Sequence, residues 1–164
     1  MTSFSIDLHT LYEVECVRDG KIIWTEVFPN LITTAGKTKL LDATFRAGIG
    51  ANAWYVGLVN NASFTAYAAA DTMASHAGWL EGVPYSDATR IAFLPAAAAA
   101  ASIDNGASRA SFTINATLTV RGSFLVDNST KSGTTGTLYG VGDFSAARSV
   151  VAGDTLNIKL TLTD

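Results

Sequence analysis

The polar residues best placed to do chemistry gather around His76, in the middle of the chain. Asp71 and Ser75 precede it, and Asp87 follows it. A serine nucleophile needs a base within hydrogen-bond reach and a carboxylate that orients the base. Ser75 and His76 are adjacent, so one turn of backbone does not bring their side chains together, and the sequence holds no G-x-S-x-G elbow. We therefore interpret these residues as a source of hydrogen bonds that structure a loop.

Metal binding needs several histidine, cysteine or carboxylate side chains that converge on one point. The two histidines, His9 and His76, and the single cysteine, Cys16, cannot supply a transition-metal set. Calcium could bind where aspartates lie near predicted strand ends, although no loop has EF-hand spacing: Asp104, Asp127, Asp143 and Asp154. We expect no metal site, and we expect Cys16 to be a buried, unreactive thiol.

Two further patterns lack part of what their chemistry requires. Glu81 and Asp87 could flank a cleft as the paired carboxylates of a glycosidase, but nothing else in the sequence selects them. The Gly-Lys-Thr at 36–38 is similar to the end of a phosphate-binding loop, but Leu31 stands where that loop has its first glycine. We expect no catalytic residue, no cofactor and no enzymatic activity.

The longest element that could position any site is the strand pattern of Ser111–Asp127. Its even positions from Phe112 to Val126 are apolar or glycine, and its odd positions are polar except Leu125. A period of two indicates a strand with one face in the core. One strand of this length would reach roughly 50 Å, longer than usual, so we expect a bend near 121–122.

Tyr12–Phe28 has the pattern of a β-hairpin about the Asp-Gly turn at 19–20. The register of a two-residue turn places Val27 on a mostly apolar face and sets Glu13 opposite Glu26. Because facing glutamates repel each other, we expect the open end of the hairpin to splay or to slip.

The apolar period changes after the hairpin. Three apolar residues then fall at helical spacing: Leu40, Leu41 and Phe45. With Thr33 or Thr34 as the cap, they predict one short helix over about 35–46. Trp54–Val59 is a continuous apolar run, typical of a strand buried on both faces or covered by that helix. Residues 62–90 are an irregular excursion, and loops of that length are usually functional or interaction elements.

The composition bounds the class of protein more than its function. The 164 residues suit one domain, and one cysteine suits a reducing compartment. Only 15% of residues are charged, the net charge is −3 and the basic residues form no run, so we expect no nucleic-acid partner. No apolar stretch could cross a bilayer and no secretory signal is evident, so we expect no membrane partner. A surface poor in charge favours assembly with neighbours.

These patterns predict a mainly β fold class: an antiparallel, jelly-roll-like β-sandwich with one short α-helix. Residues 1–29 would form an N-terminal arm and β-hairpin within the same fold, and residues 30–164 the β-sandwich domain. In the arm, Phe4, Ile6 and Leu8 alternate with polar residues. This alternation is typical either of a strand of the fold or of an arm that reaches a neighbour.

Several stretches resemble a family of small virion structural proteins of tailed bacteriophages: Ala70–Phe93, Ser102–Asn128 and Thr135–Thr163. Asn30–Asp42 and Trp54–Val59 resemble the same family, so the resemblance covers nearly the whole chain from Asn30. It rests on short runs of sequence and on no catalytic motif. The resemblance implies a jelly-roll or related sandwich that decorates the head shell as a cement protein.

The resemblance thus implies a capsid decoration protein of the virion surface, synthesised in the host bacterial cytoplasm. Its implied partners are the major capsid protein, whose adjacent subunits it would clamp, and itself, as a homodimer or homotrimer. One alternative is a tail, collar or fibre component of the same virion. Another is a carbohydrate-binding β-sandwich that would use exposed Trp54, Trp79 or Tyr85 as a stacking platform.

Overall fold

The computed structural model describes residues 8–50 and 52–164. The predicted arm residues Phe4 and Ile6 therefore lie outside the described residues. About half of the chain is strand, which confirms the mainly β class with a short helix. The described elements are β1 (His9–Arg18), β2 (Lys21–Ile32), α1 (Thr34–Phe45), β3 (Trp54–Asn60), β4 (Leu80–Gly82), β5 (Ile91–Phe93), β6 (Ser102–Asp104), β7 (Ala110–Thr113), β8 (Leu118–Val126), β9 (Leu138–Val150) and β10 (Thr155–Thr163).

Within the described residues, the strands form one antiparallel sheet that curls as a half-barrel. Its order is β4-β3-β8-β9-β2-β1-β10-β6, with β5 added to β3 and β7 added to β10. β2 pairs with β1 over most of its length and with β9 at Asn30–Ile32, so hydrogen bonding continues from one half of the sheet to the other. The two stacked sheets of a sandwich, or a jelly-roll strand order, are not confirmed.

The concave side of the curled sheet holds the larger core, which every long strand supplies with apolar side chains. Tyr12 and Phe28 stack there with ring centroids 5.1 Å apart, and Phe144 meets Phe28 edge-on. Cys16 is fully buried in this core, as predicted. Burial, with a smaller effect of the nearby Asp154 carboxylate, raises the pKa of its thiol to about 12. The thiol therefore stays protonated at neutral pH, and a protonated thiol is a poor nucleophile.

The convex side carries a second core under the excursion. Met73 and Trp79 pack there on residues from β3, β8 and β9, including Val59 and Phe124. β3 is therefore buried on both faces, and this prediction is confirmed. The outer cover of the strand is the excursion, whereas α1 packs near β9.

The long alternation divides into β7 and β8, which pair with different neighbours. The break lies at residues 114–117, earlier than the bend expected near 121–122. At Arg121 the structure shows a shift of register in the pairing of β8 with β3 and with β9. Val120 belongs to the concave core, but Phe124 belongs to the convex core and Leu125 to the concave one. One extra residue in a strand reverses which face each later side chain occupies.

The hairpin has slipped by one residue, as one of the two expected outcomes. A bulge between Cys16 and Val17 moves Glu13 opposite Val27 and Glu26 opposite Val14. The two glutamates no longer face each other, which removes the repulsion of the sequence register. The placement of Val27 on the inner face was wrong, because the slip turns it outward with 62% of its surface exposed.

The same slip points Glu26 into the protein, where only 5% of it is exposed. Its carboxylate accepts hydrogen bonds from the backbone and hydroxyl of Ser145 and from Arg148, whose Nε lies 2.6 Å away. Burial alone would raise the pKa of Glu26, but these donors outweigh burial and hold it below its usual value. The buried carboxylate thus stays ionised and links β2 to β9.

Candidate interaction surface

The residues around His76 form local structure and do not converge as a catalytic triad. The His76 ring stacks on the Trp79 indole with centroids 4.0 Å apart, and its Nδ1 donates to the Trp79 backbone carbonyl at 2.9 Å. Asp71 accepts hydrogen bonds from Ala68 N and from Trp79 Nε1. Ser75 closes a tight turn by backbone hydrogen bonds with Thr72. The Asp71 carboxylate therefore orients the indole of Trp79 and not the imidazole of His76.

Glu81, one of the two carboxylates considered for glycosidase chemistry, forms a buried ion pair with Arg90. Arg90 donates to its two carboxylate oxygens at 2.9 and 2.7 Å, and Ser132 N donates at 2.8 Å. Arg90 also donates to the backbone carbonyls of Asn128 and Gly133. The side chains of Arg90 and Glu81 are 0% and 5% exposed, and this pair ties the 128–133 loop to β4. Glu81 also lines a hollow of about 280 Å³ together with His76 and Ser132.

The four aspartates considered for calcium are separated, and each accepts hydrogen bonds from its own protein donors. In the described residues, no group of three or more histidine, cysteine or acidic side chains could hold a metal ion. Asp154 is the most buried of the four. Arg18 donates to both of its oxygens, at 2.6 and 2.8 Å, and Val151 N donates at 2.9 Å.

Replacing Asp154 with asparagine should lower the free energy of unfolding at pH 7 by about 2 kcal/mol. The hydrogen bonds from Arg18 hold the folded-state pKa of Asp154 below its ordinary value of 3.8. The ionised carboxylate therefore stabilises the fold above pH 3.8 and loses that effect as the pH falls through the folded-state pKa. Urea unfolding across pH 2–7 measures this dependence.

Asp19→Asn, an exposed change in the turn between β1 and β2, is the control and should leave the pH dependence unchanged. The Asp154→Asn variant should show a weaker loss of stability on acidification than the parent protein. Equal acid sensitivity of the parent and Asp154→Asn proteins would contradict the assignment.

The Gly-Lys-Thr at 36–38 lies inside α1, which confirms that a helix follows a threonine cap. Thr33 caps the helix by accepting a hydrogen bond from Gly36 N at 3.0 Å. Gly36 is buried against the Tyr139 backbone, where a β-carbon would overlap it. A phosphate would have to displace the backbone of β9 to reach Gly36. The glycine at position 36 therefore allows the helix to pack closely on the sheet.

Two of the three aromatic residues considered as sugar platforms are buried. Trp79 is 0% and Tyr85 1% exposed, so the expectation of exposed rings was wrong at these positions. Both residues belong to the excursion of residues 62–90. Tyr85 lies edge-on against Phe112. Trp54 is partly exposed and packs edge-on against Tyr139.

The outer face of the hairpin carries a continuous apolar surface, which we call the hairpin strip: Leu11, Val27, Pro29 and Leu31. Leu11 is directly opposite Pro29, and Val27 and Leu31 flank Pro29 on the same face of β2. Opposite residues in an antiparallel pair have β-carbons about 5 Å apart, so the four side chains are neighbours. Leu11, Val27 and Leu31 are 40%, 62% and 39% exposed.

Sequence reasoning missed the hairpin strip because it paired the strands in the register of the Asp-Gly turn. The signal that could have revealed it was the repulsion of Glu13 and Glu26. A shift of one residue separates the glutamates and at the same time turns Val27 to the outside.

A second apolar surface lies at the open end of the half-barrel, beside α1. Three adjoining hollows of about 330, 220 and 430 Å³ all include Leu40 in their walls. We call them together the end groove: Leu8, Leu40, Leu41, Phe45, Trp54, Phe93, Ile103, Tyr139 and Leu162. Leu41 and Phe45, two of the apolar residues whose spacing predicted the helix, are 61% and 81% exposed. α1 thus covers the sheet with little more than Gly36 and Leu40.

Comparison with known proteins finds no matching family model, and no curated protein or solved structure matches the chain. Across the described ranges, no helix has both the length and the apolar character needed to cross a membrane. The functional argument therefore rests on the two apolar surfaces, the hairpin strip and the end groove. Asp71, His76, Glu81 and Asp154 make hydrogen bonds within the fold, whereas one carboxylate oxygen of Asp87 is buried without a hydrogen-bond partner.

Proposed function

We propose that the protein is a capsid decoration (cement) protein of a tailed bacteriophage. It binds the outer head shell and stabilises adjacent subunits of the major capsid protein, without enzymatic activity. The observation that carries this proposal is the hairpin strip, an exposed apolar surface on two paired strands. Interface cores are depleted of charge and rich in apolar side chains, and the strip has that character.

The strip lies on a well-supported part of the sheet. β1 is hydrogen-bonded on both sides, to β2 and to β10, and the opposite face of β2 packs into the concave core. A surface held this way can resist a pulling load without rearranging. Because many copies on a symmetric shell bind with avidity, each contact can be small. These features support a mechanical clamp between neighbouring subunits.

The proposal includes the finer fold assignment, a jelly-roll-like sandwich, and self-association as a homodimer or homotrimer. Opposite parts of the curled sheet, such as β5 and β7, contact each other and contribute to one core, which supports a sandwich-like arrangement. A tail, collar or fibre component remains the alternative, since it would use the same apolar strip on a different partner. The position of the protein in the virion distinguishes these two functions.

Replacing Val27 with lysine should reduce shell binding at least tenfold, because it places a charged group in the proposed apolar contact. The fold should tolerate the change, since position 27 is outside the core and opposite Glu13. Shells assembled from the major capsid protein of the genome that encodes this chain provide the partner. Co-sedimentation of the purified protein with these shells measures occupancy.

Ile22→Lys is the matched control, because Ile22 is 58% exposed on the same strand but outside the strip. It should bind shells as well as the parent protein does. Full occupancy by the Val27→Lys protein would refute the strip as the contact. Failure of the parent protein to bind shells, or labelling of a single vertex in virion reconstructions, would replace decoration with the tail alternative.

A further inference from the structure

A hollow of a different kind lies where the excursion meets the loop that joins β8 to β9. Its volume is about 280 Å³, and a second hollow of about 350 Å³ adjoins it. We call the two together the polar hollow, whose wall includes His76, Leu80, Glu81, Ser132 and Thr134. Ligand sites are concave surfaces of about 300–1,000 Å³ with a few polar groups among apolar ones. The polar hollow is of this kind.

Three side chains supply hydrogen-bonding groups to the polar hollow. His76 donates through Nδ1 to the Trp79 carbonyl, so Nε2 of the neutral ring is an acceptor. Among the described residues, Glu81 Oε1 accepts a hydrogen bond only from Arg90, and a carboxylate oxygen can accept a second one. Thr134 is exposed, and its hydroxyl can donate and accept. The wall therefore offers both acceptors and a donor.

The wall of the polar hollow is held in place by contacts within the protein. Ser132 has a left-handed backbone, with a φ of 54°, and its N–H donates to Glu81 Oε2 at 2.8 Å. Such a conformation is costly for a residue other than glycine and persists where its surroundings hold it. Arg90 donates both to Glu81 and to the Gly133 carbonyl, which fixes the strand and the loop together. A preorganised wall lowers the entropic cost of binding a ligand.

The charges around the polar hollow favour a neutral ligand. Of the described residues in its wall, Glu81 alone is charged, and the guanidinium of Arg90 lies 2.7 Å from its carboxylate. The two charges offset each other, so neither an anion nor a cation gains from a net attraction. Leu80 is 51% exposed and adds an apolar contact beside these polar groups. A sugar unit combines the matching features, hydroxyls around its rim and C–H groups on its faces.

We propose that the polar hollow binds one unit of a neutral saccharide. Glu81 Oε1 and His76 Nε2 accept hydrogen bonds from sugar hydroxyls. The hydroxyl of Thr134 binds a further sugar oxygen, and Leu80 packs against an apolar face of the ring. This site differs from the stacking platforms expected from the sequence, because the Trp79 indole stays buried and supports the imidazole from behind.

Nuclear magnetic resonance titration of the full-length protein tests the proposal. The probes are glucose, galactose and mannose, each added up to about 100 mM, well above the expected Kd. At least one of them should shift the amide signals of residues 76–81 and 132–134 along a saturable curve, with a Kd on the order of millimolar for a ligand of this size. The uronate of any sugar that binds should bind several-fold more weakly, because its charge would lose water without gaining a counter-ion.

Two variants test the residues of the site. Ser132→Gly with Thr134→Val removes two hydroxyls, and glycine suits the left-handed backbone, so Kd should rise about fivefold in a folded protein. His76→Phe keeps a ring against Trp79 but removes the Nε2 acceptor, and it should raise Kd about tenfold. Thr130→Val removes an exposed hydroxyl from the same loop outside the polar hollow. It is the matched control and should bind as the parent protein does.

The absence of a saturable shift with all three sugars would overturn the proposal, as would shifts confined to residues outside the polar hollow. Binding that the double variant leaves unchanged would overturn the assigned site. Tighter binding of a uronate than of its neutral sugar would overturn the neutral class of ligand. These measurements use no capsid shells, so their outcome is separate from that of the decoration proposal.

Discussion

Replacing Arg90 with methionine should lower the free energy of unfolding by about 3–5 kcal/mol. The change removes the cation that donates to both oxygens of Glu81, whose side chain is only 5% exposed. A buried carboxylate left without its cation loses far more than the pair contributed while intact. Two loop carbonyls, of Asn128 and Gly133, lose their donor at the same time. Urea denaturation followed by tryptophan fluorescence measures the loss.

Arg109→Met provides the matched control for charge removal. Arg109 pairs with Glu15 at 3.0 Å, but both side chains are about one-third exposed. Exposed ion pairs contribute about 0–1 kcal/mol, so this variant should remain close to the parent protein. A double variant, Arg90→Met with Glu81→Met, should recover part of the loss, because it removes the stranded charge. An Arg90→Met protein as stable as the Arg109→Met protein would refute the structural role of the buried pair.

The elements that could be predicted are those whose stabilising interactions are local. The cap at Thr33 and the apolar spacing that follows placed α1 within about one residue of its bounds. The apolar run of β3 identified a strand buried on both sides. Each of these inferences needs only the nearest few residues along the chain.

The arrangement of the sheet could not be predicted, because it depends on pairings between distant segments. β1 joins β10 and β2 joins β9, and neither pairing leaves a mark on the sequence of one strand. β4, β5 and β6 have three residues each, too few for a period of two to be visible. Their positions at the ends of the curled sheet decide whether it closes as a barrel or divides into a sandwich.

Alternation along β8 was misleading for a related reason. Its even positions are almost all apolar, which indicates one buried face, yet Val120 and Phe124 lie in different cores. The bulge at Arg121 reverses the faces, and the excursion on the convex side buries the face that would otherwise meet water. A one-dimensional pattern does not distinguish one buried face from two buried faces joined by a bulge.

The interaction surfaces were hidden from sequence reasoning by the same non-local effects. The hairpin strip depends on a one-residue slip, and the exposure of Phe45 depends on how little of α1 rests on the sheet. Conversely, Trp79 resembled a surface platform because it lies in an irregular stretch. Only the position of that stretch across β3, β8 and β9 shows that its indole is interior.

Replacing Trp79 with alanine should lower the free energy of unfolding by about 3–5 kcal/mol, the usual cost of removing a large buried aromatic side chain. The indole packs on Phe124 with ring centroids 5.3 Å apart, and its Nε1 donates to Asp71 at 3.0 Å. Its loss leaves a cavity beneath the excursion and removes one of the two hydrogen bonds that Asp71 Oδ2 accepts, the other coming from Ala68 N. Chemical denaturation measures the total effect, and amide hydrogen exchange should show the fastest opening in residues 61–79.

Trp54→Ala is the appropriate comparison, because this change removes the same ring from a partly exposed position at the end groove. Its loss of stability should be smaller, because water already reaches one side of the ring and less apolar area returns to solvent. Trp79→Phe should fall between the parent and alanine proteins, since it keeps most of the packing but not the hydrogen bond to Asp71. If Trp79→Ala instead abolished carbohydrate binding and left stability unchanged, the indole would be an exposed platform and the convex core would be wrongly assigned.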